Sequence, residues 1–237
     1  LFAVQYGADG LAWGWLVESR WVEATHTEIR TPRPVLGHRR FRIVHLTDLH
    51  LEGFGSRERE VLDIVRRERP HLIVLTGDYL NPREATGDLT AFLRELHAPY
   101  GVFAVAGNWD WKFPVRPCFE AADVRLLQDE SFIVSEGGEE LQIVGLDIRP
   151  KRRVPELASG NGFRILLHHK PDAVDELAGL PPEARVDLFL CGHTHGGQVC
   201  LPFYGTVLTM SGTGKKYERG LHRACDTPVY VSRGIGT

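Results

Sequence analysis

The chain has 237 residues, enough for one large domain with a substantial buried core or for two small ones. Hydrophobic residues at 43% and charged residues at 25% exclude fibrous and disordered classes and describe an ordinary globular protein. A formal net charge of -3, with basic residues dispersed except at Arg39-Arg40 and Lys151-Arg152-Arg153, excludes the electrostatic footprint of a nucleic-acid-binding protein.

Four cysteines, Cys118, Cys191, Cys200 and Cys225, show no CxxC spacing and are too few for a disulfide scaffold, so structural thiols in a reducing compartment are expected. Leu1 to Val17 is apolar and carries Trp13 and Trp15, yet Gln5, Asp9 and three glycines interrupt the ~20 apolar residues of a membrane span. A packed helix is the first expectation; an interfacial segment or the remainder of an anchor is the alternative. A cytoplasmic or peripherally membrane-associated protein follows, with no signal-peptide pattern. Leu1 in place of Met, and a stop just after a strand-like run at Thr237, read as processing boundaries. Thr31-Pro32-Arg33-Pro34 is an extended linker, so the expected division is an N-terminal segment and linker over 1–37 and one domain over 38–237.

Phe41 to Thr47 predicts an apolar strand that stops at Asp48-Leu49-His50. Ser56 is placed to cap a helix whose Val61, Leu62 and Val65 share one face. Pro70 ends that helix, and His71 to Thr76 predicts a second buried strand closed by Gly77-Asp78. Leu89, Phe92, Leu93 and Leu96 recur at helical spacing; Gly101 to Ala106 then predicts a strand running into Gly107-Asn108-Trp109-Asp110. Strands alternating with helices imply a largely parallel sheet covered on both faces. Beyond these, Ser131 to Ser135 and Leu141 to Leu146 flank Gly137-Gly138 as a hairpin. Phe163 to Leu167 ends in His168-His169, and Asp172 caps a short helix reaching Leu180. Val186 to Cys191 ends in Gly192-His193-Thr194-His195, after which short strands alternate with glycine turns. There is no internal repeat.

Five expected strands therefore end in residues that ligate metals: Asp48 and His50, Asp78, Asn108, His169, and His193 with His195. In α/β sheets such strand-end groups converge on one crevice beyond the carboxyl ends. A set of imidazole, carboxylate and amide donors without thiolate suits Mn, Zn or Fe rather than Ca or Mg. Two such ions about 3.5–4 Å apart generate a nucleophile at neutral pH and clamp the attacking and leaving oxygens of a phosphoester, provided one carboxylate bridges them.

Asp48-Leu49-His50, Gly77-Asp78, Gly107-Asn108, His169 before Lys170-Pro171-Asp172, and Gly192-His193-Thr194-His195 follow the order of the calcineurin-like metallophosphoesterase family. The resemblance spans roughly residues 41 to 236. The longer run Gly192 to Gln198 followed by Leu201-Pro202-Phe203 resembles its YkuE/YaeI-type phosphodiesterase branch. The resemblance implies an α/β fold, a four-layer αββα sandwich of mixed sheets with the site at the carboxyl ends of strands. It implies one metal on Asp48, His50 and His195, a second on Asn108, His169 and His193, and Asp78 bridging, with Asp78, Asn108 and His193 the catalytic residues. The implied activity is hydrolysis of phosphodiester or pyrophosphate bonds by a metal-bridging hydroxide. The implied substrate is a small or lipid-linked phosphate ester.

One position departs from the family pattern. Where the family has His after the Asn, this chain has Trp109, whose indole N–H donates a hydrogen bond but transfers no proton. Poor leaving groups should suffer most from that loss. Pyrophosphohydrolases that split UDP-2,3-diacylglucosamine resemble this chain in departing from His here, which makes such a lipid substrate an alternative. A phosphomonoesterase and a non-catalytic metal-binding scaffold are the other two. His168 is a candidate substitute proton donor, and Trp109 and Trp111 are candidates to line a cleft or to pack as a pair. Lys215-Lys216 and Arg233 are candidate phosphate contacts, Asp110 a brace for the Trp109 loop, His45 and His71 structural, and His38 a surface residue.

Overall fold

A computed structural model describes residues 22–31, 34–149, 162–174, 185–196, 199–201, 205–208 and 217–236. Expectations for the apolar start, for Lys151 to Arg153, for most of the helix after Asp172 and for Lys215-Lys216 lie outside the described residues.

The first half alternates strand and helix. β1 (Ile43–Leu46) leads to α1 (Ser56–Glu68), β2 (Leu72–Leu75), α2 (Thr86–Arg94), β3 (Val102–Ala104), α3 (Arg116–Ala121) and the two-residue β4 (Arg125–Leu126). Ser56 is the first helical residue rather than the cap. Glu58 explains the shift, because its carboxylate reaches back to accept the Gly55 N–H at 2.8 Å. Arg69 closes α1 in the left-handed conformation at φ 47°, and Pro70 prevents its continuation. The short α3 and β4 were not expected from the sequence. They follow a single helical turn at Asp110–Lys112 and bury Cys118 and Phe119 against α2.

The four strands form a parallel sheet in chain order, with Leu46 beside Leu75 and Leu75 beside Ala104. The ends of β1, β2 and β3 are therefore level, and the loops after them leave from one edge. Ile73, Leu75 and Ala104 face the helices with Val61, Leu89, Phe92 and Phe119 in one apolar cluster.

A second sheet has the order β11-β12-β8-β7-β6-β5, where β5 is Glu130–Glu136, β6 Glu139–Gly145, β7 Phe163–Leu167, β8 Leu188–Cys191, β11 Gly220–Ala224 and β12 Thr227–Val231. β5 and β6 pair as the expected hairpin, Gly137 and Gly138 supplying the positive φ of its turn (59° and 83°). β6, β7, β8 and β12 run parallel. β9 (Val199–Leu201) and β10 (Gly205–Leu208) make a separate antiparallel pair.

The first sheet is not covered by helices on both faces. Its other face, Leu72, Val74, Phe103 and Val105, packs against Leu141, Ile143, Ile165, Leu167 and Leu190 of the second sheet. Strands buried on both sides read as continuous apolar runs whether a helix or a sheet covers them, so sequence alone does not separate the two. Val144, Leu166, Phe189 and Val231 form a third cluster on the outer face of the second sheet, beneath Ala173 and Val174. The result is the expected α/β sandwich of mixed sheets.

Residues 22–31 are docked on the rest of the described structure. Glu23 pairs with Arg233 at 3.0 Å and His26 with Glu68 at 3.1 Å, while Ile29 packs on the inter-sheet cluster. His38 is not a surface residue but half-buried, its Nε2 2.6 Å from the Tyr100 hydroxyl and its ring against His71 and Phe41. No helix among the described residues is long and apolar enough to cross a membrane.

Candidate metal centre

The carboxyl ends of both sheets meet. Ligand atoms of Asp48, His50 and His195 lie within 4.8 Å of one another, and so do those of Asp78, His169 and His193. Asp78 touches both groups: its Oδ2 is 3.3 Å from His169 Nε2 and 3.9 Å from His50 Nε2.

The local backbone explains why these side chains point outward from strand ends. Asp48, His50, Asp78, His193 and His195 all adopt positive φ, between 40° and 70°. Non-glycine residues enter this region rarely and at a cost, so each turn must be held by its surroundings. The holding bonds are visible. Asp48 N donates to Gly77 O at 2.9 Å, and His50 N donates to Asp78 O at 3.1 Å. The chain end closes behind the same turn, with Ile235 N on Thr47 O at 3.1 Å and Gly236 N on Asp48 O at 2.6 Å.

Each of the two carboxylates has one oxygen tied to backbone N–H and the other turned toward the histidines. Asp48 Oδ2 accepts from Thr47 Oγ1 at 2.8 Å and from His193 N at 3.0 Å, while its buried Oδ1 has no hydrogen-bond partner. Asp78 Oδ1 accepts from Trp109 N at 2.7 Å, which leaves Oδ2 toward the two histidines. Asn108 Oδ1 is buried and unpartnered. Buried acceptors without donors are expensive unless a cation takes them, so the residues fit a metal pair. Two imidazoles are oriented in the complementary sense. His169 Nδ1 lies 2.7 Å from Thr76 O and His195 Nδ1 3.2 Å from Gly236 O, and these carbonyls direct each Nε2 into the crevice. His193 faces inward through Nδ1, 3.1 Å from His169 Nε2.

Protein groups alone set strong electrostatics here. Burial opposes charge on Asp78, but its hydrogen bond to His169 and the His169 charge outweigh it and hold the carboxyl down at about 2. Burial likewise opposes charge on His169, yet Asp78 and Asp48 raise it to about 9. Burial, then His169 and Lys170, push His193 down to about 4. Burial lowers His50 as well, against the pull of Asp78 and Asp48. The crevice is a place where positive charge next to carboxylates is stabilised.

The remaining sequence candidates fall around this core. Trp109 is half-buried, its ring edge-on to His50 at 6.1 Å between centroids and covered by Lys112 Nζ at 3.1 Å; its Nε1 has no partner. Trp111 is turned to solvent at 56% exposure. His168 is 1% exposed and sits on the face opposite His169, its Nδ1 2.8 Å from Lys170 O and 3.1 Å from Lys170 N. Arg233 lies beside Gly196 and pairs with Glu23.

Asp110 holds more than the Trp109 loop. Its carboxylate accepts from Gly107 N, Asp78 N and Tyr79 N at 2.7, 2.9 and 2.8 Å. Burial, then the Asp78 carboxylate, push it up to about 7 against the pull of those amides. Sequence reading missed this bridge to Asp78, together with the carbonyls of Thr76 and Gly236 and the Thr47 hydroxyl. Backbone acceptors leave no signature in residue identity, though the glycine-rich Gly234-Ile235-Gly236 hinted at a close approach.

Residues 41–197 match the family model described as calcineurin-like phosphoesterase. The chain is 30% identical to an uncharacterized metallophosphoesterase, YkuE, of Bacillus subtilis, over 96% of this chain and 83% of that protein. It is also 30% identical to the phosphodiesterase YaeI of Escherichia coli, over 83% of this chain and 77% of that one. A UDP-2,3-diacylglucosamine pyrophosphatase, LpxG, of Chlamydia trachomatis is 26% identical over 97% and 88%. Among solved structures, TT1561 of Thermus thermophilus superposes with a TM-score of 0.51 at 12% identity, covering 83% of this chain and 91% of that one. The last likeness concerns the fold alone. The family uses divalent metals, and the structure has two candidate metal sites. The chain belongs to the calcineurin-like phosphoesterase family and is a phosphoester hydrolase.

Proposed function

We propose that the chain hydrolyses phosphodiester or pyrophosphate bonds with two divalent transition-metal ions, Mn, Zn or Fe. Asp48, His50 and His195 hold one ion, Asn108, His169 and His193 the other, and Asp78 is shared, within a catalytic domain over 38–237. The observation that carries this reading is Asp78 Oδ2, which lies 3.3 Å from a nitrogen of one ligand group and 3.9 Å from a nitrogen of the other. When bound, such a pair supplies positive charge against the phosphoryl oxygens and a water acidic enough to attack at neutral pH.

The chain's own residues supply orientation. Trp109 N holds Asp78 Oδ1 and so aims Oδ2; the Thr76 and Gly236 carbonyls aim His169 and His195. No imidazole follows Asn108, so the leaving oxygen receives no proton from residue 109. Bonds whose leaving group departs as a stable anion are favoured, as in a nucleoside pyrophosphate or an activated aryl diester. The names of two relatives, a phosphodiesterase and a UDP-2,3-diacylglucosamine pyrophosphatase, support these bond classes, and the second supports a lipid-linked substrate.

Chelation followed by readdition of Mn²⁺ or Zn²⁺ should abolish and then restore turnover of bis(p-nitrophenyl) phosphate. Faster hydrolysis of the diester than of p-nitrophenyl phosphate is expected. Turnover indifferent to chelation would overturn the proposal, and a strong monoester preference would replace it with a phosphomonoesterase.

A further inference from the structure

Asp110 is 2% exposed, and its carboxylate is committed to backbone: Oδ2 to Gly107 N and Asp78 N, Oδ1 to Tyr79 N. It therefore has no contact to offer a substrate. The amides come from two different loops, one after β2 and one after β3. These loops touch without side chains between them. A Cβ on Gly77 would lie 2.5 Å from Gly107 N and 2.6 Å from Gly107 Cα, and one on Gly107 would overlap Asp78 Oδ1. A second bond returns across the same seam, from Trp109 N to Asp78 Oδ1 at 2.7 Å. The seam joins a residue that faces both ligand groups to Asn108, whose Oδ1 is buried without a hydrogen-bond partner.

We propose that Asp110 is a positioning residue that sets the separation of the two cations by locking the Asp78 loop to the Asn108 loop. The inference rests on the dimetal reading above. Asp78 keeps its left-handed backbone, φ 56°, because Asp110 captures its N–H in that turn. With that capture lost, Asp78 Oδ2 no longer has a fixed place between His169 and His50. One cation position retains Asp48, His50 and His195 untouched, so the other position and the coupling between them weaken first.

The test uses the full chain, stripped of metal and titrated with Mn²⁺ by calorimetry and by electron paramagnetic resonance. Wild type should take up two ions and show a spin-coupled pair. Asp110→Asn turns an amide NH2 toward backbone N–H groups, and should weaken the second ion about 10–100-fold, the range for groups that orient metal ligands. Its spectrum should revert to isolated Mn²⁺, and excess Mn²⁺ should recover kcat with KM unchanged. Asp110→Glu keeps the charge on a stem one methylene longer and should fall between the two; if Asp110→Asn does not fold, this variant decides. A lowered melting temperature with unchanged affinities and coupling in the folded variant would overturn the proposal. A wild type that binds a single ion would overturn the dimetal reading and this inference with it, so the two failures are distinguishable.

Discussion

The loops after β1, β2 and β3 carry mainly candidate oxygen ligands, Asp48, Asp78 and Asn108 with His50, whereas the loops after β7 and β8 carry only candidate imidazoles, His169, His193 and His195. The two sets are oriented by opposite means. Carboxylates are pinned by N–H donors, Trp109 N on Asp78 and His193 N on Asp48; imidazoles are pinned by carbonyls, Thr76 O on His169 and Gly236 O on His195. Asp78 is braced from within its own sheet and His195 from within its own, while His169 depends on a carbonyl of the first sheet and Asp48 on an amide of the second. Because Asp78 faces both ligand groups, damage to its loop should disturb both cations, and damage to a single second-sheet histidine only one.

The largest expected effect is at the shared ligand. Asp78→Ala should lose both cations and lower turnover of bis(p-nitrophenyl) phosphate by at least about 10²–10³-fold. His195→Ala should retain one, as metal content by mass spectrometry will show. Equal metal loss in the two variants would break the comparison.

Glycines sharpen it. Gly107→Ala drives a Cβ into Asp78 Oδ1 and to 2.5 Å from Asp78 N, where backbone must move. A cost of about 1–3 kcal/mol is expected from such overpacking, read as a fall in melting temperature together with loss of metal. Gly192→Ala meets the Thr47 hydroxyl and Asp48 Oδ2, which are buried and hydrogen-bonded to each other, and should cost a comparable amount while disturbing Asp48 first.

Trp109→His changes chemistry without changing the brace, because the bond to Asp78 comes from the backbone N–H. The variant should leave p-nitrophenyl diesters nearly unchanged and accelerate alkyl diesters, at most by the about 10²–10⁴-fold that general acid catalysis provides. No gain on alkyl substrates would show that position 109 does not reach the leaving oxygen.

The effect most remote from catalysis is on stability, at His45 in β1, which holds Thr76 Oγ1 at 2.8 Å and points its ring toward Tyr230 of the second sheet. Its Nδ1 is enclosed without a partner, and burial pushes its pKa down to about 3 from 6.5. Below pH 6.5 the unfolded chain takes up a proton at this ring that the folded chain refuses. Stability is thus full above that pH and falls as the pH drops toward about 3, by at most about 1.4 kcal/mol per unit. His45→Gln should flatten this limb in urea unfolding measured at pH 4 to 7.

Motif order at strand ends was enough to name the seven candidate ligands, because each block carries its chemistry in its residue types. The hairpin at Gly137-Gly138 and the long helices were legible for the same reason, since period and turn residues are local properties. α3 and β4 were not, being too short to show a period. The Ser56 cap was misplaced by one residue because Glu58 satisfies the helix start from within. His38 read as surface because nothing near it in sequence announces Tyr100 and His71 as neighbours.

Sequence by itself thus determined the candidate donor set, its order and the strands that end in it, all of which depend on residues close together along the chain. Tertiary structure alone decided that a second sheet covers the inner face of the first and that Asp110 bridges two loops. It also decided that Thr76 and Gly236 lend their carbonyls to histidines far away in the chain. The reason is physical: backbone amides and carbonyls are the same at every residue, so their partners are chosen by where the folded chain brings them.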